Sequence, residues 1–181
     1  MDYLDIQDLV NTDPVVQALL AAPLPLQLGY VGLDGHPRTV PVSYIWNGKA
    51  FVFATPPFAY KVKAIEAHPQ VSFTVNVADD GIRAKVAARL GPTVASYTPL
   101  IMLGRGTATI EVRPGVPQEH VEASRRLVGN EAELKEWERV KRAATDEMAV
   151  VTIEPTHLTV CDFITRFPPP AEHEKAAHSE S

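Results

Sequence analysis

Two turn dipeptides, Asp34-Gly35 and Asn47-Gly48, constrain this chain more than any other feature. They divide a run of β-forming residues into Leu26–Leu33, Pro37–Trp46 and Lys49–Thr55. Asp-Gly and Asn-Gly accept the positive backbone angles of two-residue hairpin turns, so the three stretches read as an antiparallel meander. In the second strand Arg38, Val40, Val42 and Tyr44 share one face and Thr39, Pro41, Ser43 and Ile45 the other, by the two-residue period of a strand. Pro41 has no N–H for a ladder bond, which calls for a bulge, a sheet edge or a ligand at that point.

Before the meander, Thr12-Asp13-Pro14 places a capping side chain ahead of a proline suited to the first helical turn, and Val15, Val16, Leu19 and Leu20 then recur at helical spacing. This predicts a helix over Pro14–Ala21. After it, Ala50–Thr55 reads as a buried strand, Phe58–Ala67 as a helix stopped by His68-Pro69, and Gln70–Val77 as a strand whose Val71, Phe73, Val75 and Val77 alternate with polar residues. Leu100–Val112 reads as a strand in which Gly104 and Gly106 mark a bend or a close backbone approach. Gln118–Thr145 has a broken apolar stripe that Gly129-Asn130 splits into two helices. A last strand, Ala149–Ile153 continuing through Leu158–Phe163, is expected to be interrupted by Pro155. Residues 1–167 thus form one domain, and 168–181 a polar, disordered tail.

The chain has 181 residues, 45% hydrophobic and 22% charged, enough for a single globular core. A net charge of −5 argues against a general nucleic-acid binder, which needs clustered Lys and Arg. Cys161 is the only cysteine and acids stand where a secretory signal would carry basic residues, so cytoplasmic residence is expected. Every apolar run is too short to span a bilayer. The six histidines lack the close spacing of metal ligands, and no metal site is expected.

Arg38, Thr55, Lys61 and Lys63 make the strongest candidate site. A phosphate dianion favours charge-assisted hydrogen bonds from Arg and Lys beside a hydroxyl or a helix amino terminus. The alternative is a solvated helix whose lysines face water. Gly104-Arg105-Gly106 is too short for a nucleotide fingerprint and reads as backbone packing. Arg83, Lys85 and Arg89 read as a solvated loop.

The order of these segments resembles a known family. Arg38-Thr39-Val40-Pro41-Val42-Ser43, Phe53-Ala54-Thr55-Pro56-Pro57, Lys61-Val62-Lys63, the His68-Pro69-Gln70-Val71 strand entry and Leu103-Gly104-Arg105-Gly106-Thr107-Ala108 are similar to motifs of the pyridoxamine 5'-phosphate oxidase-like, FMN-binding split-barrel superfamily. The likeness covers residues 24–112 best. It implies a mainly β protein with peripheral helices, a six-stranded antiparallel split β-barrel, and a homodimer with flavin in a groove between subunits, to which the Leu100–Val112 strand contributes. It further implies that Arg38 and Lys61 bind the FMN phosphate with Lys63 as helper. Backbone groups of Val40, Pro41 and Val42 would meet the ring edge, Ser43 would hydrogen-bond to it, and Thr55 and Pro56 would line the ring or ribityl chain.

The resulting expectation is an FMN-dependent oxidoreductase acting on a small molecule. The deazaflavin coenzyme is the alternative cofactor, and a non-catalytic flavin or haem carrier the rival class. Such oxidases often carry a lysine where Ser43 stands and an Arg-x-His motif near the carboxyl end. Val160-Cys161-Asp162-Phe163 does not supply that motif, so vitamin B6 oxidation is not implied. The stretch Ala78–Ser96 is longer than usual at this point and reads equally as a lid or a dimer arm.

Overall fold

The computed structural model describes residues 3–77, Gly81, Ala84, 100–128 and 130–162. Helix α2 (Pro14–Ala21) starts where its cap predicts. The Asp13 carboxylate accepts from Val15 N at 2.9 Å and Val16 N at 3.1 Å, and Pro14 fills the first turn, where no N–H is needed. Helix α1 (Tyr3–Thr12) precedes it and was not anticipated. It docks by burying Ile6 and Val10, and Asn11 on its last turn accepts from Trp46 Nε1 at 2.8 Å.

Seven strands follow: β1 (Leu26–Val31), β2 (Pro37–Val42), β3 (Ile45–Trp46), β4 (Phe51–Thr55), β5 (Gln70–Asn76), β6 (Leu100–Pro114) and β7 (Glu147–Asp162). Helix α3 (Tyr60–Ala67) lies between β4 and β5, and α4 (Gln118–Leu127) and α5 (Glu131–Ala143) between β6 and β7. The sheet order is β2-β1-β5-β6-β7-β4-β3, and every neighbouring pair is antiparallel.

The strand expected over Pro37–Trp46 is broken at Ser43-Tyr44, and its halves pair at opposite ends of the sheet. A two-residue connection spans at most about 11 Å. The break therefore draws the two ends together and closes the sheet into a barrel, and it accounts for seven strands where six were expected. Arg126 of α4 holds this break. Its guanidinium donates to Tyr44 O and, at 2.8 Å, to Ala22 O, and lies 4.4 Å over the Tyr44 ring.

Both turns differ in detail from the two-residue form centred on the dipeptides. Gly32 N donates to His36 O at 2.8 Å, so the first loop is Leu33-Asp34-Gly35, and only Gly35 has positive φ, at 79°. A type I turn closed by a left-handed glycine suits a three-residue loop. In the second, Asn47 N donates to Ala50 O, leaving Gly48-Lys49 as the loop with Gly48 at φ 90°. Glycine there occupies the first central position, and the Asn47 side chain accepts from Lys49 N and Ala50 N.

β7 is continuous through Pro155, contrary to the expected interruption. Arg105 pairs with His157 and Gly106 with Pro155, so Thr156 is the extra residue of a bulge, and Thr156 Oγ1 donates to Arg105 O at 3.3 Å. The bulge accommodates a proline that a regular ladder would reject. The barrel core gathers Leu28, Phe51, Phe53, Phe73, Met102 and Ile153, each essentially inaccessible, and burying such a side chain contributes about 1.5–3 kcal/mol. β4 is buried on both faces because Val52 and Ala54 pack outward against Val121 of α4 and against Met148 and Val150. Among the described residues no helix is long and apolar enough to cross a membrane. The proposed lid or arm at 78–96, including Arg83, Lys85 and Arg89, and the tail at 168–181 lie outside the described residues, Gly81 and Ala84 excepted.

Candidate functional site

Arg38 stands opposite Tyr30 on the inward-facing side of β2, where the strand leaves the first turn. Its Nη2 lies 2.7 Å from Asp34 Oδ2, and its guanidinium sits 4.8 Å from the centre of the Tyr60 ring. The Tyr60 hydroxyl accepts from Leu33 N at 3.0 Å. A side chain at Gly32 would collide with Arg38 Nε and Asp34 Oδ1, so glycine is what allows this packing. The turn, β2 and the start of α3 thus meet in one cluster. The His36 N–H and, beyond it, the Arg38 guanidinium hold the Asp34 carboxyl below its ordinary range.

Lys61 follows Tyr60 in the first turn of α3. Its ammonium is half-buried, and burial lowers its pKa below that of an ordinary lysine. Among the described residues it has no hydrogen-bond or ion-pair partner. The cap residue Ala59 supplies no side-chain acceptor to this helix end, so first-turn N–H groups add a positive end beside Lys61. Thr55 closes β4 and is buried, and half-buried Pro56 follows, its carbonyl accepting from Ala59 N at 3.0 Å. Lys63 is exposed, and two helical positions place it about 200° round the helix from Lys61. Arg38, Tyr60 and Lys61 are thus brought to one end of α3, whereas Lys63 is not.

On β2 the side chains of Val40 and Val42 turn toward the core, Pro41 is exposed and Ser43 stands half-buried in the break. The Gly32–His36 pairing sets the phase of the ladder, in which hydrogen-bonded and non-bonded pairs alternate. Backbone groups of Arg38, Val40 and Val42 therefore face β1, and those of Pro37, Thr39 and Pro41 face the open sheet edge. Pro41 meets the edge expectation, and the edge N–H of β2 is that of Thr39. The expected ring-contacting backbone at Val40 and Val42 is engaged in the ladder, while Pro41 offers its carbonyl.

A groove of about 450 Å³ runs along the outer face of the sheet, lined in part by Gly29, Val31, Arg38, Thr39, Ser72 and Arg105. Thr39, Gly29, Ser72 and Arg105 form one cross-strand row, and Gly29 leaves the space that Ser72 Oγ occupies. At Gly104 an added side chain would meet His157 O and the Phe73 ring, in keeping with a packing role for these glycines.

Sequence reasoning missed Asp34, Thr39 and Tyr60. Asp34 served only as a turn former, although a tight loop brings residues four apart beside each other. Tyr60 was available as the neighbour of Lys61.

No curated protein matches the chain. Solved structures share the fold at low identity. A conserved hypothetical protein from Mycobacterium tuberculosis superposes with a TM-score of 0.55 at 18% identity, over 93% of this chain and 89% of its own. The haem storage protein HutZ from Vibrio cholerae gives 0.52 at 15% identity, over 82% and 93%. General stress protein 26 from Bacillus anthracis str. Sterne gives 0.51 at 16%, over 82% and 92%. The family model described as pyridoxamine 5'-phosphate oxidase matches residues 12–157. With its antiparallel barrel and a match over most of its length, the chain belongs to the pyridoxamine 5'-phosphate oxidase family.

Proposed function

We propose that this protein is an FMN-binding oxidoreductase acting on a small molecule, working as a homodimer with flavin between subunits. The observation that carries the reading is Lys61. An ammonium half-withdrawn from water with no carboxylate partner among the described residues costs free energy, and an anion at the uncapped start of α3 offsets that cost. Arg38, stacked on the adjacent Tyr60, supplies the planar donor fork suited to a phosphate. Family membership supports a flavin as the carrier of that phosphate.

Bound flavin supplies the hydride or electron transfer, and the protein's part is binding and orientation. Lys61, the α3 amino end and Arg38 hold the phosphate. The free edge of β2 offers the Thr39 N–H and the Pro41 carbonyl to the ring edge, with Ser43 beyond. Thr55 and Pro56 line the ring or ribityl chain, and Lys63 adds long-range positive charge. β6 is the strand proposed to complete the partner's pocket.

The test is titration of cofactor-free protein with FMN, the deazaflavin coenzyme and haem. Tight FMN binding with substrate-dependent reduction supports the oxidoreductase. Preference for the deazaflavin or for haem moves the protein to that alternative, and binding without turnover makes it a carrier. Truncating Arg38 and Lys61 together to Ala is expected to weaken FMN by about 2–5 kcal/mol. Unchanged affinity in that double variant sinks the site.

A further inference from the structure

Arg38 is already paired. Its Nη2 donates to Asp34 Oδ2 at 2.7 Å, while the other carboxylate oxygen, Oδ1, accepts from His36 N at 3.2 Å. The pair is open to solvent, with side-chain exposures of 40% for Arg38 and 46% for Asp34, so an incoming anion can reach the guanidinium. The cation is fixed from its other side by the Tyr60 ring, whose hydroxyl is tied to Leu33 of the same turn. Tyr60 is in turn the residue before Lys61. Asp34 therefore occupies one arm, Nη2, of a guanidinium that packs on the first residue of α3.

We propose that Asp34 is a built-in competitor for the anion bound by Arg38, and that it sets the affinity of this site for phosphorylated against unphosphorylated ligands. The inference rests on the reading of Arg38 and Lys61 as the phosphate site. A phosphate dianion that takes the guanidinium must either displace the Asp34 carboxylate or sit beside it. Displacement sacrifices the ion pair, and co-occupancy sets like charges together. Both reduce phosphate affinity, and neither touches a ligand that lacks phosphate. Among the described residues Lys61 pairs with no such acid, so the tuning falls on one of the two cations.

The experiment is fluorescence titration of cofactor-free protein with FMN and with riboflavin, for wild type, Asp34→Asn, Arg38→Ala and the double variant. Asn keeps the side-chain oxygen that accepts from His36 N and suits the turn before Gly35, so the loop is retained. A thermal melt of each variant checks the fold. Asp34→Asn is expected to tighten FMN about two- to tenfold, the scale of a surface ion pair plus a like-charge term, and to leave riboflavin unchanged. In the Arg38→Ala background the same substitution is expected to do little, which is the coupling a competitor requires. Weakened or unchanged FMN binding in Asp34→Asn, with Arg38→Ala still harmful, overturns the competitor and leaves the phosphate site standing. Loss of no FMN affinity in Arg38→Ala overturns both.

Discussion

Arg126 carries more structural consequence than any residue in the candidate site. It reaches from α4 to carbonyls of Ala22 and Tyr44 and covers a Tyr44 ring that is itself 1% exposed. Removing it leaves two carbonyls without that donor at the break in the barrel. Arg126→Ala is expected to lower stability by about 2–4 kcal/mol in urea unfolding at neutral pH. His120, its ring tilted against Trp137 with centroids 5.4 Å apart, is a second case. Burial, and after it the charge of Lys141, pushes its pKa from 6.5 down to about 4. The folded state thus binds fewer protons than the unfolded state between those values. The stability from keeping the ring neutral is complete above pH 6.5 and is lost as pH falls toward 4. After allowance for solvent screening the loss is about 1–2 kcal/mol. It is measured as the difference in urea midpoint between pH 7 and pH 4.5, which His120→Phe should shrink. Neither role was legible in the sequence, because each depends on partners brought close only by the tertiary fold. The Asp13 cap was legible, since its acceptors lie two and three residues on.

At the scale of elements, strands with one buried face announced themselves through period-two alternation, as in Val71, Phe73 and Val75 of β5. Two features escaped that logic. α1 is short and rich in acids, and it is held by tertiary contacts, Ile6 and Val10 in the core and Asn11 on Trp46, rather than by propensity. The break at Ser43-Tyr44 carries no glycine, and it arises because the sheet must close on itself. The residues of the proposed phosphate site are legible from their order, but the ladder phase that aims Thr39 outward needs the loop length of the first turn. The crossing of β6 over Phe73 gives a test of element packing. Gly104→Ala places a methyl against His157 O and the Phe73 ring and is expected to cost about 1–3 kcal/mol, read as a lower Tm.

For the whole molecule, the outer face of β2, β1, β5 and β6 bears exposed Val31 and Leu103 beside the groove. Proposed pairing of two chains across this face predicts a dimer in sedimentation velocity. Leu103→Asp is then expected to give monomers and weaker FMN binding together, whereas a monomeric wild type that still binds FMN tightly would exclude a shared pocket. The rim of the same sheet leads elsewhere. With prolines at 37 and 41, the N–H that β2 shows a foreign strand is that of Thr39, beside carbonyls that can only accept. Edge-on addition of peptides or of misfolded copies is starved of donors there, so the barrel can keep an unpaired strand in a crowded solution without seeding fibrils.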